Sequence, residues 1–231
     1  MRPTVAIIYN DPGSCRYEAI GEGKAVFGVL KEVDAVYESL TSLGYAVVRV
    51  PLLPPAERVT EKLKSIQADV IFNLCEGIDG CPETEADVGN ILAGISIPFT
   101  GCPGSALALA LDKARTKELL HDSGICTPRY QLLSPDTLTT FHLAYPCIIK
   151  PWGEDASHGI SEDSVVTNSV SLEKQVTRVS QLYKGKAIVE EFIGGREFNA
   201  TVMGNRQLTI FPISEIAYSL PPGMPRILTY S

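Results

Sequence analysis

The chain has 231 residues, 45% of them hydrophobic and 20% charged. These are ordinary values for a folded protein, and the length allows two domains. A count of 20 basic against 27 acidic residues leaves a formal charge of −7 with no basic cluster. That argues against nucleic acid, whose backbone is bound through many phosphate contacts. The first apolar run, residues 5–9, is too short for a secretory signal. No stretch approaches the roughly 20 apolar residues of a membrane span, so a cytoplasmic protein with no membrane partner is expected.

The β-rich run at 5–9 ends in the turn cluster Asn10-Asp11-Pro12-Gly13. Val29, Leu30, Val33, Val36, Tyr37, Leu40 and Leu43 recur at helical spacing, with Gly44 as the terminating glycine. A second strand is predicted at 46–50, a helix at 57–66, a third strand at 70–72, a helix at 85–92 and a short strand at 97–99. This alternation predicts a parallel sheet flanked by helices, a Rossmann-like layer. Helices at 105–111 and 114–123 follow, with Asp112 as an N-cap between them. Beyond residue 147 the pattern becomes α+β: strands at 147–150, 187–192, 198–203 and 208–211, and a helix at 171–182. A domain boundary is placed near residue 101.

The six cysteines (Cys15, Cys75, Cys81, Cys102, Cys126, Cys147) form no CxxC pair and no zinc spacing. They read as reduced thiols, and no transition-metal site is expected. The glycine-rich stretch Gly21-Glu22-Gly23-Lys24 is followed by Ala25 where a P-loop has Ser or Thr, and it reads as a loop.

Two segments carry more chemistry. In Cys147-Ile148-Ile149-Lys150 a lysine closes an apolar strand, where an ammonium is costly unless an anion meets it. A loop of small residues follows, with Gly153, Ser157 and Gly159 able to offer N–H groups and a hydroxyl to phosphates. A solvated hairpin loop with Lys150 turned outward is the competing reading. The second segment, Ala187-Ile188-Val189-Glu190-Glu191-Phe192-Ile193-Gly194-Gly195-Arg196-Glu197, is by itself an ordinary hairpin with acidic residues on each side of its turn.

Together with Asn73-Leu74-Cys75-Glu76-Gly77-Ile78-Asp79-Gly80, Phe99-Thr100-Gly101 and Asp112-Lys113-Ala114-Arg115-Thr116-Lys117, these segments resemble the ATP-grasp superfamily in its D-alanine–D-alanine ligase-like branch. The resemblance runs over nearly the whole chain. It implies an α/β fold with an N-terminal Rossmann-like parallel sheet (1–101), followed by an incomplete α+β ATP-grasp fold. The latter would comprise a central subdomain at 102–186 and the start of a C-terminal one at 187–231. It also implies ATP as cofactor and a ligase that joins a carboxylate to an amine through an acyl phosphate, acting on amino acids or small peptides, with a homodimer left open. Lys113 and Lys150 would hold phosphates, and the loop with Ser157 and Gly159 would close over them, Lys150 and Ser157 acting catalytically. Glu190, with the backbone of Glu191 and Ile193, would line the adenine pocket, and Glu197 would bind ribose.

Two departures qualify this. The family's His-Gly and Gly-Glu-Asp-Gly run is not matched in 75–85, and its contacts to the first alanine are unmatched near 10–22. The chain also stops before the Asp-x-Arg and Glu-x-Asn-Pro segments that bind Mg2+ in the family; Asp155 and Glu215 match neither. A truncated product, a fragment or a remodelled homologue is expected, with metal ligands beyond residue 231 and no ligase activity of its own. The alternative is a non-catalytic nucleotide-binding regulator. Two physical expectations follow: a loop at 153–160 that is mobile without nucleotide, and uncovered apolar surface around 208–216.

Overall fold

Neighbouring residues of a strand point to opposite faces, and Ile7 and Ile8 are both fully buried, so the strand that holds them is covered on both sides. The computed structural model describes residues 2–13, 27–155, 157–221 and 223–229. In it β1 (Thr4–Asn10) is the middle strand of a parallel sheet ordered β2–β1–β3, with β2 at Ala46–Leu52 and β3 at Val70–Leu74. On one face α1 (Gly28–Ser42) packs Val29 and Val33 against Ile7. On the other, α2 (Ala56–Lys64) and α3 (Glu83–Ala93) bring Val59, Leu63, Val88 and Leu92 onto Ala6, Ile8 and Ile71. The strand predicted at 97–99 is reduced to one parallel bridge, Ile71 to Phe99. Cys15, the loop at 21–24 and most of the stretch 10–22 lie outside the described residues, as does Ala156.

Two short helices connect this layer to the next. In α4 (Gly104–Leu111) the first residue must be glycine, because a Cβ there would lie 2.3 Å from the Ala86 carbonyl oxygen of α3. Asp112 then caps α5 (Lys113–Asp122), its Oδ1 accepting from the Arg115 N–H at 2.9 Å, as predicted.

The second sheet is antiparallel, in the order β4–β7–β5–β6, with β4 at Tyr130–Leu133, β5 at Cys147–Pro151, β6 at Val165–Val166 and β7 at Ala187–Glu191. One face is roofed by α6 (Ser169–Tyr183), whose Leu172, Val176 and Val179 pack on Cys147, Ile149, Ala187 and Val189. The run predicted as one strand at 198–203 is two, β8 (Glu197–Asn199) and β9 (Val202–Met203), and these pair with different partners. β8 joins β11 (Ser214–Ile216) and β9 joins β10 (Thr209–Ile210), giving two separate two-stranded sheets. Leu208, Ile210 and Ile213 are well exposed, as the apolar surface expected around 208–216 requires. The whole is a mixed α/β fold with a parallel sheet ahead of antiparallel ones, as the sequence predicts. Among the described residues no helix is long and apolar enough to cross a membrane.

Candidate functional site

The alternation on β5 and β7 creates the site. Cys147, Ile149, Ala187 and Val189 lie under α6, so Ile148, Lys150, Ile188 and Glu190 face the other way. In the antiparallel register Ile148 is opposite Glu190 and Lys150 opposite Ile188, making Lys150 and Glu190 diagonal neighbours. Lys150 Nζ donates to Glu190 Oε2 at 2.6 Å. From α5, Lys117 brings its Nζ to 3.1 Å from Glu190 Oε1. The Lys117 and Glu190 side chains are 8% and 9% exposed, against 30% for Lys150. Burial pushes the Glu190 carboxyl upward, but Lys150 and Lys117 together outweigh it and hold the group below the ordinary carboxylate range.

One turn earlier on α5, Lys113 is directed at the loop that follows β5, where its Nζ donates to the Glu154 carbonyl. Burial lowers its pKa, against the opposing pull of the Asp155 carboxylate. Trp152 Nε1 donates to Asp112 Oδ1 at 2.9 Å, so the loop is fastened to the start of α5 at two points. Within it, the Ile160 N–H donates to the Ser157 carbonyl at 3.1 Å. Gly159 takes φ +77° with Pro151 so close that a Cβ would sit 2.5 Å from its Cγ; only glycine suits that return. The loop expected to be mobile without nucleotide carries these polar anchors.

Loop, β7 and the segment beyond it line an open cavity of about 580 Å³, a size that suits a small ligand or cofactor. Lys113, Lys150, Ser157, Glu190, Glu191, Ile193 and Glu197 all line it, while Gly159 does not and serves the loop turn. The Glu191 side chain is paired with Arg129, and its N–H donates to the Arg129 carbonyl at 3.0 Å. Glu197 accepts from the Tyr218 hydroxyl; burial first, then this bond, push the tyrosine up to about 12. Asp155, His158, Arg226 and Leu228 are among the other lining residues and were not predicted. Asp155 and His158 could have been taken from the loop that held Ser157. Nothing local marks Arg226 or Leu228, which arrive from a distant part of the chain.

The 73–80 loop and the Phe99-Thr100-Gly101 turn meet at the C-terminal ends of β1 and β3, the edge where open α/β sheets bind ligands. The Asn73 N–H donates to Thr100 Oγ1 at 3.0 Å, and the Glu76 N–H to Asn10 Oδ1 at 2.9 Å. Glu85 follows at the start of α3, where burial first and then Asp155 and Glu76 push its carboxyl up to about 7. The Asp155 carboxylate of the second layer's loop therefore acts on acidic groups of the first.

The D-ala D-ala ligase C-terminus family matches residues 119–221. The D-alanine–D-alanine ligase of Carboxydothermus hydrogenoformans is 32% identical over 196 residues, 81% of this chain and 60% of that one. The chain is thus similar to the D-alanine–D-alanine ligases and has the ATP-grasp fold. It spans between 42% and 62% of the length of the first curated relatives it matches. Among solved structures, the VanG D-Ala:D-Ser ligase of Enterococcus faecalis superimposes with a TM-score of 0.65 at 19% identity, covering 93% of this chain and 70% of that one. The D-alanine–D-alanine ligase of Bacillus anthracis complexed with ATP gives 0.56 at 17% identity, covering 96% and 72%. These structures share the ATP-grasp fold.

Proposed function

We propose that this chain carries the nucleotide-binding part of an ATP-dependent carboxylate–amine ligase of the D-alanine–D-alanine ligase type. The observation that carries the reading is the cavity where Lys113, Lys150 and Ser157 meet the end of β7. The ATP complex of the Bacillus anthracis relative supports it. Cytoplasmic location, amino-acid or small-peptide substrates and a homodimer belong to the same reading.

The chemistry has two steps. A substrate carboxylate oxygen attacks the γ-phosphorus of ATP, the bond to the β-phosphate breaks, and ADP and an acyl phosphate result. An amine then attacks the acyl carbon, loses a proton and expels inorganic phosphate, leaving an amide. Phosphoryl transfer asks a protein mainly for alignment and charge stabilisation. Lys150 and Lys113 supply positive charge, Ser157 and the loop N–H groups close over the transferring phosphoryl, and no side-chain nucleophile is needed. The backbone at Glu191 and Ile193 meets the adenine edge, with Glu190 behind it, and Glu197 meets the ribose. Bound Mg2+ supplies further charge neutralisation in phosphoryl transfer. Among the described residues no group of three or more His, Cys, Asp or Glu could hold a metal ion. The described residues do not fit the ion, and no step here runs through it.

Three units remain part of the proposal, 1–101, 102–186 and 187–231. The second break is better placed after Glu191, because β7 lies between β4 and β5 within one sheet. By itself the chain is proposed to be inactive. Lys113 is engaged by Glu154, Lys150 is engaged by Glu190, and the apolar residues around β10 lie open to solvent. The same engagement of both lysines favours the second reading, a nucleotide-binding regulator without catalysis. Calorimetry on the purified chain with ATP and Mg2+ tests the pair: weak ATP binding without ADP release is expected. Tight binding with amino-acid-dependent ADP release would overturn the inactivity, and no binding of ATP or adenosine would overturn the nucleotide site.

A further inference from the structure

Resting on the nucleotide reading, we infer that Lys117 is a positioning residue that keeps Lys150 available to an anion by occupying half of Glu190. Lys150 is the partly exposed member of the Lys117–Glu190–Lys150 group and lines the cavity beside Glu190, whereas Lys117 does not. Were Lys150 the sole partner of Glu190, the two would form a neutral pair, and a phosphate arriving at Lys150 would compete directly with a carboxylate. With Lys117 buried on the far oxygen, the three side chains carry one net positive charge. The surplus falls at the exposed end, because Lys117 is enclosed and its Nζ also lies 5.4 Å from the centre of the Tyr130 ring. Tyr130 is in turn tied to α5, its hydroxyl donating to the Ala114 carbonyl at 3.3 Å. Lys117 is thus held between Glu190 and a Tyr130 ring that is itself fixed to α5. Low exposure keeps the attraction within the group strong, so moving one charge changes what Lys150 offers to solvent.

The test separates charge from packing. ATP and adenosine binding are measured up to millimolar ligand for the wild type, Lys117→Met, and the double variant Lys117→Met/Glu190→Gln, with circular dichroism to check the fold. Lys117→Met neutralises the group and is expected to weaken ATP by about ten-fold relative to adenosine, the scale of one charged hydrogen bond. The double variant restores the single positive charge at Lys150 and is expected to recover the ATP-to-adenosine ratio. A purely structural Lys117 would lower both affinities together and show no recovery. An unchanged ratio in Lys117→Met, or a loss that the double variant does not reverse, overturns the inference. Adenosine failing to bind the wild type overturns instead the nucleotide reading on which it rests.

Discussion

The sheet β4–β7–β5–β6 and the paired strands β8 to β11 come from the same half of the chain and use similar residue types, but they differ in what lies against them. In the first, Cys147, Ile149, Ala187 and Val189 alternate with the site residues and are sealed by α6. In the second, Phe198, Val202, Met203, Ile210 and Ile213 have the same β-forming character, yet each is half or more exposed. Strand propensity proposes a strand; a second layer is what gives that strand a side to bury. The polar residues follow the same division. Glu190 is enclosed between two lysines, whereas the Arg196–Glu215 ion pair joining the outer strands is open to water and stabilises little.

Breaking the buried group should give the largest effect on stability. Glu190→Ala leaves Lys117 enclosed without its counter-charge, and a loss of about 3–5 kcal/mol is expected by urea denaturation. Truncating Glu215 to Ala should cost less than about 1 kcal/mol. Equal costs at the two sites would show that the enclosure of Glu190 has no energetic meaning. The pH dependence carries the same signature. Glu190 has its carboxyl held below the ordinary range in the folded protein, so its stabilising contribution is present above the unfolded carboxylate pKa. It is lost as pH falls through the lower folded value. Glu190→Gln should flatten that acid limb.

A core substitution sharpens the contrast at somewhat lower cost. Ile149 is fully buried under α6, and Ile149→Ala should destabilise by about 2–5 kcal/mol. Ile210 lies on β10 at 67% exposure, so Ile210→Ser should stay within about 0.5 kcal/mol while reducing self-association in light scattering. A large loss at Ile210 would mean that this face is covered in solution.

How far the sequence reaches follows the same line. Lys150 is legible because an ammonium at the end of an apolar run has no packing reason to be there. Asp112 is legible because capping chemistry is local. Glu190 is legible as a site residue, but its two lysine partners are 40 and 73 residues away in sequence, and no short-range pattern encodes them. β4 is missed because Tyr130-Gln131-Leu132-Leu133 follows a proline and is too short to show alternation; its pairing with β7 makes it a strand. The run at 198–203 is read as one strand because propensity does not register that its two ends take different partners.

A pH effect separates the two layers by sign. Glu85, at the start of α3, has its carboxyl pushed up to about 7, by burial first and then by the Asp155 and Glu76 carboxylates. Its folded value therefore lies above the unfolded one, the reverse of Glu190. A raised carboxyl favours folding while both states hold the proton, and this advantage is lost as pH rises through the folded value. Between pH 5 and pH 8 the Glu85 contribution should decline by about 1–2 kcal/mol after allowance for solvent screening, whereas that of Glu190 stays constant. Glu85→Gln removes the ionisation and keeps a polar side chain of similar size. It should raise the melting temperature at pH 8, leave it nearly unchanged at pH 5, and so level the slope between them. If it lowers stability equally at both pH values, the charged Glu85 side chain is making a favourable contact, and the crowding of carboxylates between the two layers is not what sets its proton affinity.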